Sequence, residues 1–284
     1  MTGLKPLQNI SEHFDRLTQA TSLHQTGQLA EAEIQYRELL QENPDDVNAL
    51  HMLGVLEHQR GNSPKGLELV ARAMQLAPGI PMIHNNFGEI LLTLGQTEKA
   101  TTHLLKATQE DPDKLQPLYN LGECYRRSGK LLQAENCLLM LLKKAPDHAG
   151  ALLRLGMVCM DKKNPSSALE FLERAQSFEP LNIEILFQLS RVHFALKNYQ
   201  DSIDILERLI RQSPDYFQAH NNLGNAFMET GDFGKAVTAY RHAASGMPGD
   251  IGINHNLAEA VKAFRQASPV ADNSAEPGEN THGH

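Results

Sequence analysis

Histidine and cysteine, the side chains that most often carry chemistry, form no catalytic or metal-binding spacing in this chain. The 13 histidines are spread along the sequence, and the three cysteines, Cys124, Cys137 and Cys159, include no CxxC pair. Structural and catalytic metal sites need three or four ligands at short spacings. The zinc-binding motif HExxH, the nucleophile motif GxSxG and the glycine-rich phosphate-binding loop do not occur. The sequence therefore predicts a noncatalytic protein with no cofactor and no metal.

Asparagine and arginine, in contrast, recur at a fixed spacing. Asn86 and Asn120 lie 34 residues apart, and so do Asn222 and Asn256, while Arg154 follows Asn120 at the same interval. An amide side chain offers both a hydrogen-bond donor and an acceptor, so a row of asparagines can bind a peptide backbone whatever its side chains are. The alternative is that these residues are solvated on a helix surface.

The same interval governs the prolines, which show that the chain is a repeat. The prolines at this spacing are Pro44, Pro78, Pro112, Pro146, Pro180, Pro214 and Pro248. With these prolines (the repeat prolines) set as position 32 of a 34-residue unit, position 8 is small in every unit, position 7 is apolar in most and position 20 is small. Positions 4, 7, 8 and 11 share one helical face, as do 20, 24 and 27, so each unit is predicted to form two amphipathic helices.

Glycines mark the turn and the crossing of the two helices. Position 15 carries Gly27, Gly61, Gly95, Gly129 and Gly231, which suits a left-handed helix C-cap, while two units carry Lys163 and Lys197 there. Glycine at position 8 indicates close approach of the two helices, so we expect positions 8 and 20 to mark their crossing. Ser63 and Pro64 read as the N-cap and first residue of a second helix.

The motifs His84-Asn85-Asn86-Phe87-Gly88, Leu118-Tyr119-Asn120-Leu121-Gly122 and His220-Asn221-Asn222-Leu223-Gly224 resemble the tetratricopeptide repeat (TPR), although position 4 is never Trp. The resemblance implies an all-α, right-handed superhelical solenoid of antiparallel helix pairs. The predicted segments are a lead-in (1–12), seven units (13–46, 47–80, 81–114, 115–148, 149–182, 183–216 and 217–250), a C-terminal capping helix (251–266) and a disordered tail (267–284).

In TPR proteins, first-helix positions 2, 5, 6, 9, 12 and 13 line a concave groove that binds extended peptides or helices. Carried over, the resemblance implies a peptide-binding groove containing Asn86, Tyr119, Asn120, Arg127, Arg154, Met157, Phe187, Arg191, Asn222 and Asn256. The asparagine row partly resembles that in the TPR region of O-linked GlcNAc transferases. Arginine beside methionine and aromatic residues favours an adaptable site for partners with acidic residues, unless some of these side chains belong to the core.

Composition limits the class of partner. A formal charge of −8 disfavours nucleic acid, and no apolar run is long enough for membrane insertion. With no secretory signal in the N-terminal residues, the expected location is cytoplasmic. We therefore expect a noncatalytic scaffold or adaptor that binds a protein or peptide. The alternatives are a substrate-recruiting partner of a separate glycosyltransferase-type enzyme and a scaffold that self-associates through its end.

Overall fold

The computed structural model describes the backbone of residues 4–267 and the side chains of residues 11–267. All regular structure in this range is α-helical, and the chain divides into an N-terminal unit, up to Lys162, and a C-terminal unit, from Lys163. The helices of the N-terminal unit are α1 (Leu4–Gln25), α2 (Leu29–Glu42), α3 (Val47–Gln59), α4 (Ser63–Leu76), α5 (Pro81–Thr93), α6 (Thr97–Glu110), α7 (Leu115–Arg127), α8 (Leu131–Lys144) and α9 (Ala149–Asp161). Those of the C-terminal unit are α10 (Pro165–Phe178), α11 (Ile183–Ala195), α12 (Tyr199–Gln212), α13 (Phe217–Thr230), α14 (Phe233–Gly246) and α15 (Ile251–Ala267).

Left-handed turns join the two helices of each repeat. All five position-15 glycines have positive φ, between 70° at Gly129 and 85° at Gly61. Lys163 and Lys197 adopt the same conformation, with φ of 59° and 63°. The turn therefore keeps its geometry where glycine is missing, although a residue with a Cβ is strained there.

The helices cross closely at the small positions. A Cβ on Gly66 would lie 2.6 Å from the carbonyl oxygen of Gly54, which shows that the backbones of α3 and α4 touch at positions 8 and 20. In α11 and α12 the same positions are serines, and the buried Ser202 hydroxyl donates to the Ser190 carbonyl at 2.9 Å. The crossing predicted for these positions is present in both pairs.

Polar side chains at position 4 attach α5, α13 and α15 to the proline turns that precede them. His84 Nε2 lies 2.9 Å from the Pro78 carbonyl oxygen, and His220 Nε2 lies 2.9 Å from that of Pro214. Asn254 donates to the carbonyl of the last repeat proline at 3.0 Å. A carbonyl that follows the end of a helix thus gains a partner, and these residues act as structural ties.

Each unit has its own buried core. In the N-terminal unit, apolar side chains from consecutive helices pack together, with Tyr36 and Leu53 in one cluster and Leu104 and Leu121 in another. The core of the C-terminal unit includes Leu206, Leu223, Tyr240 and Ala260, so α15 packs on the last helix pair. These cores fix the spacing of the first helices that carry the candidate site.

Three local features differ from the sequence expectation or lie outside what the structure describes. Ser63 is not an N-cap: Asn62 holds that position, and the buried Ser63 hydroxyl instead hydrogen-bonds His58 Nδ1 at 2.9 Å. Helix α1 begins at Leu4, inside the segment expected to be a lead-in. Of the expected tail (267–284), all but Ala267, the last residue of α15, lies outside the described residues.

Candidate functional site

The predicted site residues fall on neighbouring first helices within each unit. In the N-terminal unit, α5, α7 and α9 carry Asn86, Tyr119, Asn120, Arg127, Arg154 and Met157. In the C-terminal unit, α11, α13 and α15 carry Phe187, Arg191, Asn222 and Asn256. Because α5 contacts α7, α7 contacts α9, α11 contacts α13 and α13 contacts α15, each unit presents a surface of its own.

The same hydrogen bond recurs on these surfaces: an asparagine at position 6 donates to the side chain at position 5 of the preceding repeat. Asn86 Nδ2 donates to His51 Nε2 at 2.8 Å. Asn120 Nδ2 donates to Asn85 Oδ1 at 3.2 Å, and Asn256 Nδ2 donates to Asn221 Oδ1 at 3.2 Å. The amides therefore connect stacked first helices.

In the N-terminal unit these bonds join into one directional chain. Gln116 donates to Asn120 at 3.2 Å, Asn120 donates to Asn85, and Asn85 donates to Asn86 at 3.0 Å. The chain ends on His51, where burial lowers the pKa to about 4 and keeps the imidazole neutral, able to accept at Nε2. Asn120 is only 5 % exposed, and both its amide oxygen and its amide nitrogen already form hydrogen bonds. This residue is therefore poorly placed to bind a ligand.

The arginines of α7 and α9 converge on one carboxylate. Glu123 is buried and accepts from Arg126 Nε at 3.0 Å and Arg127 Nε at 2.7 Å, while Arg154 Nη1 lies 3.4 Å away. Burial alone would raise the pKa of Glu123, but the hydrogen bonds and charges of the arginines lower it below its usual value. Arg126 also pairs with Asp161 at 2.8 Å, so most of the cluster's positive charge is neutralised internally.

Arg154 is also held by its aromatic neighbour. Its Nε donates to the Tyr119 hydroxyl oxygen at 3.2 Å, and the guanidinium lies 5.7 Å from the centre of that ring. Nη1 lies 3.6 Å from Met157 Sδ. The structure thus brings together Tyr119, Arg154 and Met157, with the guanidinium fixed in place.

The C-terminal unit contains a more open site. Its four predicted residues, Phe187, Arg191, Asn222 and Asn256, line one cleft of about 320 Å³. Sequence reasoning missed Met247 and Asp250, which belong to the turn before α15 and also line the cleft. Turn residues of this kind carry no first-helix periodicity that could reveal them.

Asn222 differs from the other asparagines at its repeat position. Position 5 of the preceding repeat is Phe187, which has no polar atom, and Asn222 has no hydrogen-bond partner among residues 11–267. Phe187 packs edge-on against Tyr216, with ring centres 5.2 Å apart. A half-buried amide therefore lies beside an aromatic ring, with its donor and acceptor not engaged by any residue that the structure describes.

Arg191 supplies positive charge at the same cleft. It is exposed, and its Nη1 donates to Gln188 Oε1 at 2.8 Å. Gln188 in turn donates to Glu184 Oε1 at 2.7 Å, so these hydrogen bonds position the guanidinium without a direct ion pair to any described residue. An amide, an aromatic ring and a cation are a set that can contact a peptide backbone, an apolar side chain and a carboxylate.

The histidine, cysteine and acidic side chains that the structure describes form no metal site. Among residues 11–267 no three histidine, cysteine or acidic side chains gather as metal ligands. Burial raises the pKa of the Cys124 and Cys137 thiols to about 11, which keeps them protonated at neutral pH. Within the described helices, none combines the length and apolar character that crossing a bilayer requires.

Comparison with known proteins agrees with this architecture. The chain is 24 % identical over 216 residues to the BBSome complex member BBS4 of Bos taurus, which covers 76 % of this chain and 41 % of that protein. It is 24 % identical over 230 residues to the CTR9 homolog of Arabidopsis thaliana, covering 78 % of this chain and 21 % of that one. The chain thus spans less than half the length of these relatives.

Solved structures show the same fold. One chain of the APC/C hetero-tetramer Cut9–Hcn1 superposes with a TM-score of 0.77 at 17 % identity, covering 85 % of this chain and 48 % of that chain. Sequence models described as tetratricopeptide repeat match residues 17–81, 91–155, 149–180 and 187–251. With most of its length matched by these models and folded as helix pairs, this chain belongs to the tetratricopeptide repeat family.

Proposed function

We propose that the protein is a noncatalytic interaction scaffold that binds an extended or helical segment of a partner protein along its first helices. The cleft of Phe187, Arg191, Asn222 and Asn256 is the principal contact. The observation that carries this proposal is Asn222, a half-buried amide with no hydrogen-bond partner among the described residues. This amide can pair with a ligand without first breaking a hydrogen bond to any described residue, and it offers both a donor and an acceptor.

Each cleft residue has a role in this proposal. The Asn222 amide pairs with one peptide unit of the partner backbone, which gives affinity without demanding a particular side chain. Phe187 covers an apolar side chain, and Arg191 selects an acidic residue nearby. In the N-terminal unit, Arg127 and Arg154 provide a weaker second contact because Glu123 neutralises part of their charge.

The names of the relatives support an assembly role. BBS4 is named as a member of a complex, and the Cut9 chain was solved in a hetero-tetramer. TPR helix pairs also expose continuous first-helix surface, the kind of surface that suits a segment several residues long.

The test is affinity purification from native lysate with quantitative mass spectrometry. Partners of the wild type should be lost from a Phe187→Ala, Arg191→Ala, Asn222→Ala triple variant. The matched control is Asn198→Ala, which removes an exposed asparagine of the same unit outside the cleft. Partners retained by the triple variant would contradict the assignment of the cleft.

The same experiment distinguishes the alternative functions. Recovery of a glycosyltransferase as the main cleft-dependent partner would favour substrate recruitment. Recovery of only the chain itself, with a mass by light scattering that grows with concentration, would favour self-assembly. If Arg191 binds an acidic residue, the affinity for the partner should fall as salt is raised.

A further inference from the structure

A second cavity lies in the C-terminal unit, apart from the first-helix cleft. It has a volume of about 530 Å³ and is bounded by α12, α13 and α14; we call it the outer groove. Its floor is apolar and includes Ile210, Leu223 and Phe227. The outer groove shares no lining residue with the cleft of Asn222.

The outer groove is wider than a corresponding groove of the N-terminal unit, where a larger residue takes the place of a small one. In the second repeat the corresponding groove, which lies between α2, α3 and α4, has a volume of about 310 Å³ and is lined by Leu69. The residue at the same repeat position in the outer groove is Ala239. Gly234 lines the groove with its backbone, since a Cβ on this residue would lie 3.2 Å from the Phe264 ring of α15.

The rim of the outer groove carries two cationic side chains, Arg211 and Lys235, together with Glu207. Each cation has an acidic neighbour close to it in the sequence: Glu207 is 3.9 Å from Arg211, and Asp232, outside the lining, accepts from Lys235 Nζ at 3.2 Å. Both pairs are solvent-exposed, and such pairs are weak, so a ligand's carboxylate can replace the acidic partner of either cation. Lys235 Nζ also lies 5.3 Å from the centre of the Phe227 ring.

We propose that the outer groove is a second docking site, for a peptide segment in which a bulky apolar side chain stands next to a carboxylate. The apolar side chain fills the space above Leu223 and Phe227 that Ala239 leaves open. The carboxylate then pairs with Lys235 at one end or Arg211 at the other. From Gly234 to His242 the groove spans roughly 12 Å of helix, enough for two adjacent residues of an extended peptide.

The test is an NMR titration of the full chain with N-acetyl-Asp-Phe-amide. Binding should produce saturable shifts of the Thr238 and Ala239 backbone amides. Ala239→Leu, which copies the second repeat, should abolish those shifts, whereas Ala258→Leu adds the same side chain at an exposed site on α15 and should preserve them. Lys235→Gln combined with Arg211→Gln should weaken binding at least fivefold, as should replacing Asp by Asn in the peptide.

Other outcomes overturn the proposal. Equal affinity for the Asp and Asn peptides would show that the carboxylate does not contribute to binding. Unchanged shifts in Ala239→Leu would show that the peptide binds outside the outer groove. If neither the full chain nor a chain ending at Ala267 binds the peptide saturably, the groove is not a site for this ligand. Binding only after that truncation would make the chain's own terminal segment the occupant, and groove shifts that depend on protein concentration would make it a second copy.

Discussion

Asparagines at position 6 of the repeat have different roles, which depend on the residue at position 5 of the preceding repeat. Asn120 has Asn85 at position 5 of the preceding repeat and donates a hydrogen bond to it. Asn222 has Phe187 at that position, and the phenylalanine side chain has no polar atom to accept a bond. The identity of position 5 thus decides whether the amide stabilises the stack or remains available to a ligand.

Alanine substitutions should separate these two roles. Asn120→Ala leaves Asn85 Oδ1 buried without its donor and should lower the free energy of unfolding by about 2 kcal/mol. Asn222→Ala removes no bond within the described residues and should change it by less than about 0.5 kcal/mol. Urea unfolding of both variants checks this, and equal losses would contradict the distinction.

His51 should make stability depend on pH. Its pKa is lowered by burial from 6.5 to about 4, so the unfolded chain binds this proton more readily than the folded chain. The free energy of unfolding should therefore fall as the pH is lowered from about 6.5 to about 4, by about 3 kcal/mol from this group.

The measurement is the urea midpoint across that pH range for the wild type and for His51→Gln, which keeps an acceptor for Asn86. The variant should lose stability less steeply. A residual slope is expected because burial also lowers the pKa of His103. Identical slopes would show that His51 is not neutral and buried in the folded protein.

At the scale of the helix pair, the sequence predicted the architecture well because the determinants are local. The proline interval, the position-15 glycines and the small residues at positions 8 and 20 each specify a turn or a crossing inside one repeat. The prediction that Ser63 is an N-cap was wrong because its hydroxyl hydrogen-bonds His58 in the preceding helix. The state of Asn222 depends on a contact between repeats, which the periodic pattern alone does not disclose.

The turn lysines should be sites of strain. Lys197 has φ of 63°, a conformation that costs a residue with a Cβ roughly 1 kcal/mol. Lys197→Gly should therefore raise the free energy of unfolding by about 0.5 kcal/mol, after allowance for the greater entropy of glycine in the unfolded chain. Thermal unfolding tests this against Lys197→Ala, which keeps the strain; a gain of equal size in the alanine variant would refute it.

The crossing glycines should not tolerate side chains. A Cβ on Gly122 would lie 2.9 Å from Leu138 Cγ, so Gly122→Leu should separate α7 from α8 and cost about 3 kcal/mol. Gly79→Leu is the matched control, since a Cβ there has no neighbouring atom within 4 Å. A melting temperature as high for Gly122→Leu as for the control would contradict the close crossing.

At the scale of the whole molecule, each unit has one first-helix surface of distinct character. The N-terminal unit has a network of amides, arginines and Glu123 that is largely satisfied internally. The C-terminal unit has an open cleft with an aromatic ring, an exposed arginine and an amide that bonds none of the described residues. TPR membership alone leaves open which surface binds, and the hydrogen bonds favour the second.

The measurement that tests this claim most directly is site-specific photo-crosslinking. The photoreactive residue p-benzoylphenylalanine replaces Gln218, which is exposed at the cleft, or Gln200, an exposed glutamine on α12. We expect a partner to crosslink from position 218 and not from position 200, and the adduct to diminish when Asn222→Ala is added. Equal adducts from both positions, or an adduct indifferent to Asn222→Ala, would contradict the cleft as the binding site.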